Sequence, residues 1–237
     1  ERSKSLALIG EMAAGLAHEI RNPLASLCGS IQMLQKNLEL DKTDERLMRI
    51  ILRGRDQLEN LVRNFLLLAR PNLDGRQEIN IKYLMDDILE SLRHSPDWHE
   101  NIKVVMALSD QTGIYGNMTE IKQALWNLVL NAVQSMSNSG RLKIETRPVI
   151  LDNLKEYLEI RISDNGCGIE KDDSSKIFEP FYTTKERGTG LGLAIVNRIV
   201  ESHGGKIRIE SELEKGTGCI LLLPRNKGAW ESRIANG

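Results

Sequence analysis

Cysteine is scarce in this sequence. The three residues, Cys28, Cys167 and Cys219, are far apart, odd in number and without a CxxC pair. That excludes a disulfide framework and offers no zinc-type spacing, so a reducing, cytoplasmic setting is expected. Long apolar runs are missing too. The longest, such as Phe65 to Ala69 and Ile220 to Leu223, fall far short of the roughly 20 residues a membrane span needs, so no membrane contact is expected within this piece. Aromatic residues make up only 4%, a composition that suits bundles of Leu, Ile and Ala helices better than sheet sandwiches. No sign of charge dominates: 32 basic and 33 acidic residues leave a net charge of −1. Such a balance supplies no field to draw in a phosphate polymer, which argues against nucleic acid as a partner. The chain starts at Glu1 with no signal-type apolar segment behind it. It therefore reads as cut from a longer polypeptide, whose sensor or membrane anchor would lie upstream.

Against these absences stand 41% hydrophobic and 27% charged residues in a chain of 237, the balance of a folded protein of one large or two ordinary domains. Apolar residues at Ile9, Met12, Leu16, Ile20, Leu24, Leu27, Ile31, Leu34 and Leu38 recur at steps of three and four, which predicts an amphipathic helix of about thirty residues. A second series, Leu47, Ile51, Gly54, Leu58, Leu61, Phe65 and Leu68, has heptad spacing. Polar residues 39–45 separate the two. An antiparallel hairpin of this kind leaves much of each apolar stripe wet, so pairing with a second copy into a dimeric four-helix bundle is expected. Arg70-Pro71-Asn72-Leu73-Asp74-Gly75 then breaks the pattern. Downstream, helices are expected at Ile79 to Arg93 and Asn117 to Met136, and strands at Ile102 to Ala107, Arg141 to Arg147, Tyr157 to Ser163, Lys206 to Ser211 and Gly218 to Leu223. This alternation predicts helices layered on one mixed sheet. The expected division is a hairpin over 1–70, a linker over 71–77, an α/β domain over 78–225 and a loose tail over 226–237.

Four segments carry chemistry. In Ala17-His18-Glu19-Ile20-Arg21-Asn22-Pro23, His18 lies about 200° around a helix from Leu16 and from Ile20 and so points to water. Glu19 can take a proton from the ring as its other nitrogen attacks; alone, the residue reads first as an ordinary solvated histidine. Asn127 and Asn131 stand one helical turn apart with their amides on one face. Amide oxygens are hard donors suited to Mg²⁺, or else plain polar residues on an exposed stripe. Asp164-Asn165-Gly166-Cys167-Gly168-Ile169 follows a strand. Its carboxylate can accept from the exocyclic amine of adenine, a donor that guanine's O6 does not supply, and its glycines admit a flat ring; it is equally a common turn. Gly188-Thr189-Gly190-Leu191-Gly192-Leu193 opens a helix whose first amides suit phosphate, behind a lid-like Phe178 to Lys185 whose Lys185 can reach a terminal phosphate. Thr217, between Gly216 and Gly218, can assist Asp164.

Taken together, these segments resemble the boxes of the sensor histidine kinases of two-component signalling, in family order and spacing, across Ser5 to Pro224. They are the phosphoacceptor box His18 to Pro23, the asparagine box at Asn127 and Asn131, the first glycine box Asp164 to Ile169, the phenylalanine box Phe178 to Lys185 and the second glycine box Gly188 to Gly192. The Phe-Tyr-Thr-Thr-Lys lid looks most like the nitrogen- and pilus-regulation branch. The resemblance implies an α+β multidomain chain, a dimerisation and phosphotransfer hairpin followed by a Bergerat-type α/β sandwich that binds ATP. It implies Mg²⁺ at Asn131, with Asn127 as a second candidate. The nucleotide would meet Asp164, Gly166, Gly168, Ile169, Thr183, Thr184, Lys185, Gly188, Gly190, Leu191, Gly192, Leu193 and Thr217. The γ-phosphoryl would pass to His18, with Glu19 as base, and on to an aspartate of a response-regulator receiver domain. Asn22 would position water if the same homodimer also acts as a phosphatase. Gyrase, Hsp90 and mismatch-repair ATPases share the implied fold, but they would carry a water-activating Glu where this chain has Asn127, and they lack the His18 box. A serine kinase acting on a sigma-factor antagonist would lack the hairpin. A non-enzymatic scaffold that merely senses ATP would leave the His18 box without a purpose.

Overall fold

The computed structural model describes residues 75–137, 139–151, 155–185 and 188–226, together with residues 26, 29–31, 33–34, 41, 43–52, 54–55 and 58. The chain divides into two compact units, Glu1–Pro71 and Asn72–Gly237. In the first unit the described residues other than Asp41 are helical. The Ser30 hydroxyl donates to the Ser26 carbonyl four residues back. Asp41 starts the second helical stretch, its carboxylate accepting from the amides of Thr43 at 2.7 Å and Asp44 at 2.8 Å, the N-terminal capping geometry that short acidic side chains provide. Residues 43–45, expected in the polar connection, are therefore already helical. Leu47, Ile50, Ile51 and Leu58 are each 50% or more exposed.

In the second unit, strand β1 (Arg76–Asn80) leads into helix α1 (Ile81–Arg93), followed by β2 (Ile102–Ala107), β3 (Gly113–Asn117), α2 (Met118–Ser135), β4 (Gly140–Leu151), β5 (Lys155–Ser163), α3 (Gly192–Ser202), β6 (Lys206–Glu212) and β7 (Gly216–Pro224). β1 and β3 form an antiparallel pair, and the other five strands form a mixed sheet in the order β2-β4-β5-β7-β6. Among the described residues only β2 and β4 run parallel, with Lys103 opposite Arg141. The expected helix start at Ile79 is corrected to Ile81, because Ile79 pairs with Ile114 across β1 and β3. Arg76 and Gln77, expected in the linker, are likewise in β1.

Each helix buries one stripe. On α1 it is Ile81, Leu84, Met85, Ile88, Leu89 and Leu92. On α2 the apolar members are Ile121, Ala124, Leu125, Leu128, Val129, Ala132 and Val133, and on α3 they are Ala194, Ile195, Val196, Ile199 and Val200. Against them lie alternate residues of the sheet, Leu142, Ile144, Leu158, Ile160, Ile162, Leu221 and Leu223, as the period of two requires. α1 and α2 are capped by Asn80, which accepts from the Lys82 amide, and Asn117, which accepts from the Glu120 amide.

Candidate active site

α2 carries the asparagines on the face opposite its core stripe. The Asn127 amide nitrogen lies 3.5 Å from the Gly192 carbonyl oxygen, and the Asn131 Oδ1 accepts from Lys185 Nζ at 3.2 Å. The two side chains predicted to share a face thus meet the start of α3 and the end of the phenylalanine box. α3 has no side-chain cap, and its hydrogen-bond ladder opens with the Ile195 amide on the Leu191 carbonyl. The first-turn amides of Gly192, Leu193 and Ala194 therefore have no helical acceptor, the arrangement that favours an anion. Leu191 is 1% exposed, so it can offer backbone but no side chain. Gly190 has a φ of +66°, and a Cβ there would run into the Phe181 backbone. The Phe181 amide donates to the Gly190 carbonyl at 3.0 Å, tying the phenylalanine box to the glycine box.

Asp164 lies beyond the end of β5, under the C-terminal turn of α2. Its Oδ1 accepts from Ser135 Oγ and from the Gly166 amide, each at 2.9 Å. Its own amide donates to the Thr217 carbonyl at 2.9 Å. Burial pushes this carboxyl above the ordinary aspartate value, against the pull of the Gly166 amide, Ser135, the Thr217 amide and the Lys185 charge. Gly166 is required by close approach, since a Cβ would strike Ser135. Gly168 sits at a φ of +72°, and the Cys167 amide donates to the Ser135 carbonyl at 3.1 Å. The Ile169 amide donates to Ser211 Oγ at 2.9 Å, and Ser211 in turn lies 2.8 Å from Thr217 Oγ1. Thr217 therefore supports Asp164 through its backbone, while its hydroxyl is tied through Ser211 to the Ile169 amide.

In the phenylalanine box, Thr183 Oγ1 accepts from the Lys185 amide at 3.1 Å, while Thr184 is exposed. A Cβ on Gly188 would strike Thr183. Much of the Lys185 side chain meets solvent. Its ammonium is nevertheless held below the ordinary lysine pKa by desolvation, which the nearby carboxylates of Asp97 and Asp164 oppose. Among the described residues no group of three or more His, Cys, Asp or Glu could hold a metal ion. A cation here would meet a neutral amide donor, Asn131, and would need phosphate or water oxygens to complete its shell, which fits Mg²⁺. His18, Glu19 and Asn22 lie outside the described residues, as does the tail beyond Asn226.

Sequence reasoning missed Ser135, Gln134 and Asp97. Gln134 Oε1 accepts from Lys185 Nζ at 2.8 Å, and Gln134 Nε2 donates to Asp97 at 3.1 Å. The steps of four and three from Asn127 through Asn131 to Gln134 would have found one of them. Asp97, in the turn after α1, gives no sequence signal.

Residues 8–73 match the His Kinase A (phospho-acceptor) domain. Residues 116–227 match the histidine kinase-, DNA gyrase B- and HSP90-like ATPase family. The chain is 35% identical over 98% of its length to sporulation kinase E of Bacillus subtilis, covering 31% of that protein. It is 33% identical over 95% of its length to the signal transduction histidine-protein kinase AtoS of Escherichia coli, covering 36% of it, and 32% identical over 95% to the sensor histidine kinase ZraS of the same species, covering 48%. The chain thus spans between about a third and a half of the length of these relatives. Among solved structures it resembles full-length ShkA in complex with AMPPNP, with a TM-score of 0.75 and 28% identity over 90% of this chain and 45% of that one. It also resembles the histidine kinase ThkA in complex with the response regulator TrrA, with a TM-score of 0.61 and 30% identity over 95% of this chain and 64% of that one. These likenesses do not single out the nitrogen- and pilus-regulation branch. No helix among the described residues is long and apolar enough to cross a membrane.

Proposed function

The chain belongs to the sensor histidine kinases of two-component signalling, and on that premise we propose that it transfers the γ-phosphoryl group of ATP to His18 and then to an aspartate of a response-regulator receiver domain. One observation carries this reading. Asn131, the Lys185 ammonium and the uncapped first turn of α3 converge on one place, while Asp164 stands at the end of β5 with its carboxylate held by Ser135 and the Gly166 amide. A carboxylate for adenine and a cationic, amide-rich patch for phosphates are what a nucleoside triphosphate needs.

In this reading the adenine amine donates to Asp164, with Gly166, Gly168, Ile169 and Thr217 shaping the wall around the ring. The phosphates lie along the backbone of Gly190 to Leu193, with Thr183, Thr184 and Gly188 at the lid and Lys185 at the terminal group. Mg²⁺, held by Asn131 with Asn127 as second donor, would neutralise charge on the phosphate oxygens. One imidazole nitrogen of His18 attacks the γ-phosphorus. A P–N bond forms as the P–O bond to ADP breaks, and Glu19 takes the proton from the other ring nitrogen. Asn127 cannot act as a carboxylate base, so water is not activated there and ATP is kept for His18. The next transfer moves the phosphoryl from nitrogen to the receiver's aspartate oxygen. Asn22, four residues after His18 in the sequence, is the residue that would orient water in a phosphatase reaction on that aspartate. The exposed apolar residues Leu47, Ile51 and Leu58 support a homodimer through the hairpin. The response-regulator complex of the similar kinase ThkA supports the receiver domain as partner.

Incubation with γ-labelled ATP and Mg²⁺ tests the activity. The expected product carries label that survives alkali and is lost in acid, as a phosphoramidate does. An unlabelled chain, or label that survives acid and is lost in alkali, would overturn the reading.

A further inference from the structure

Lys185 is held by Asn131 and by Gln134, and Gln134 in turn is held by Asp97; Gln134 and Asp97 belong to none of the five boxes. Gln134 follows Asn131 by three residues on α2 and shares its face. Its amide stands between an ammonium and a carboxylate: Oε1 accepts from Lys185 Nζ at 2.8 Å, and Nε2 donates to Asp97 Oδ1 at 3.1 Å. Lys185 Nζ also donates to Asn131 Oδ1 at 3.2 Å. Only one orientation of a glutamine amide satisfies both neighbours, because its oxygen accepts and its nitrogen donates. With the carboxylate of Asp97 on one side, the amide oxygen has to face Lys185.

We propose that Gln134 and Asp97 are positioning residues for phosphoryl transfer: Asp97 orients the Gln134 amide, and its oxygen holds the Lys185 ammonium beside Asn131, where the terminal phosphates bind. The inference rests on the reading of Lys185 as the group that meets the γ-phosphate. The chemistry of the pair suits that task. A carboxylate in direct contact with Lys185 would neutralise the charge that the phosphates need. A neutral amide fixes the ammonium in place and leaves its charge available. Asp97, one side chain further away, still favours the charged form of Lys185 through space. Misplacement of a group that contacts the transferred phosphoryl is expected to lower the rate of transfer more than the binding of nucleotide.

The test compares initial autophosphorylation rates with ADP affinity in the full chain, since ADP lacks the γ-phosphate. Gln134→Leu is expected to lower the rate about 10- to 100-fold, the range typical of a lost positioning contact, with ADP affinity unchanged. Asp97→Leu is expected to act likewise. Asp97→Asn, whose amide oxygen can still accept from Gln134, should stay close to the parent rate. Gln134→Leu combined with Lys185→Ala should lose no more than Lys185→Ala alone, because the glutamine acts only through the lysine. Unchanged ADP affinity also shows that each variant is folded. The inference is overturned if Gln134→Leu keeps the parent rate, if its loss multiplies with that of Lys185→Ala, or if ADP affinity falls with the rate. An active parent with an indifferent Gln134→Leu removes this inference alone; a parent that takes no label removes the kinase reading beneath it as well.

Discussion

Asp164 is a carboxylate raised above its ordinary pKa by burial and kept in place by one hydroxyl and backbone amides. Such a group is costly to bury unless it accepts hydrogen bonds, and one more donor, the adenine amine, would offset part of that cost. Asp164→Asn presents an N–H where an acceptor is needed, and is expected to weaken ATP binding by about 1 to 3 kcal/mol in a calorimetric titration. Unchanged affinity would remove Asp164 from the adenine contact. His203 shows the opposite chemistry. It is fully buried, with Nε2 accepting from the Asn117 amide at 2.9 Å and Nδ1 lying 2.8 Å from the Ile199 carbonyl, so the ring is a neutral strut between the end of α3 and the start of α2. Burial lowers its pKa to about 4. The folded form therefore refuses the proton that the unfolded chain takes up near pH 6.5. The stability that His203 contributes is present above that pH and is lost as the pH falls toward 4, by about 3 kcal/mol in total. Thermal melting across that range should show the fall. His203→Gln, less stable at neutral pH, should show a smaller one, and an equal fall in both would assign the acid sensitivity elsewhere.

At the scale of elements, legibility followed how much of the stabilisation is local. α2 was readable to within a residue because its apolar steps of three and four coincide with a capping asparagine, Asn117. β2 was readable because three of its six residues, Ile102, Val104 and Val105, are β-branched. β1 and β3 were not. Arg76-Gln77-Glu78-Ile79-Asn80 is almost wholly polar, and Gly113-Ile114-Tyr115-Gly116-Asn117 has two glycines. Each is a strand only because the other lies against it. The sequence pattern predicts a strand that ends at Arg147, and the next residue, Pro148, is of a type that usually stops a strand. β4 continues to Leu151 because its pairing with β2 ends at Glu145, so the proline faces Leu158 of β5 and interrupts no ladder on its other side. In the same way the residues of the candidate site that stand in sequence motifs were found, whereas Ser135 and Asp97, which act by proximity in the fold, were not.

For the whole molecule, two units of different make-up would divide the work of the proposed reaction. The first exposes Leu47, Ile51 and Leu58 at heptad spacing, a seam that calls for a second chain. Ile51→Glu places a charge in that seam. It is expected to weaken self-association by at least about 2 kcal/mol, seen as monomer in sedimentation at concentrations where the parent is dimeric, with ATP affinity unchanged. Equal sedimentation of the two would place the dimer contact elsewhere. The near-zero net charge accords with the proposed function, in which the phosphate groups would be one nucleotide and one phosphohistidine, handled by Lys185, backbone amides and amide side chains and not by a basic surface. The central claim is that the second unit's nucleotide is spent on His18 in the first. It is tested most directly by following label from γ-labelled ATP in the parent chain and in His18→Gln side by side. The account predicts acid-labile, alkali-stable label on the parent and none on His18→Gln, with nucleotide affinity the same in both. Undiminished label on His18→Gln would contradict it.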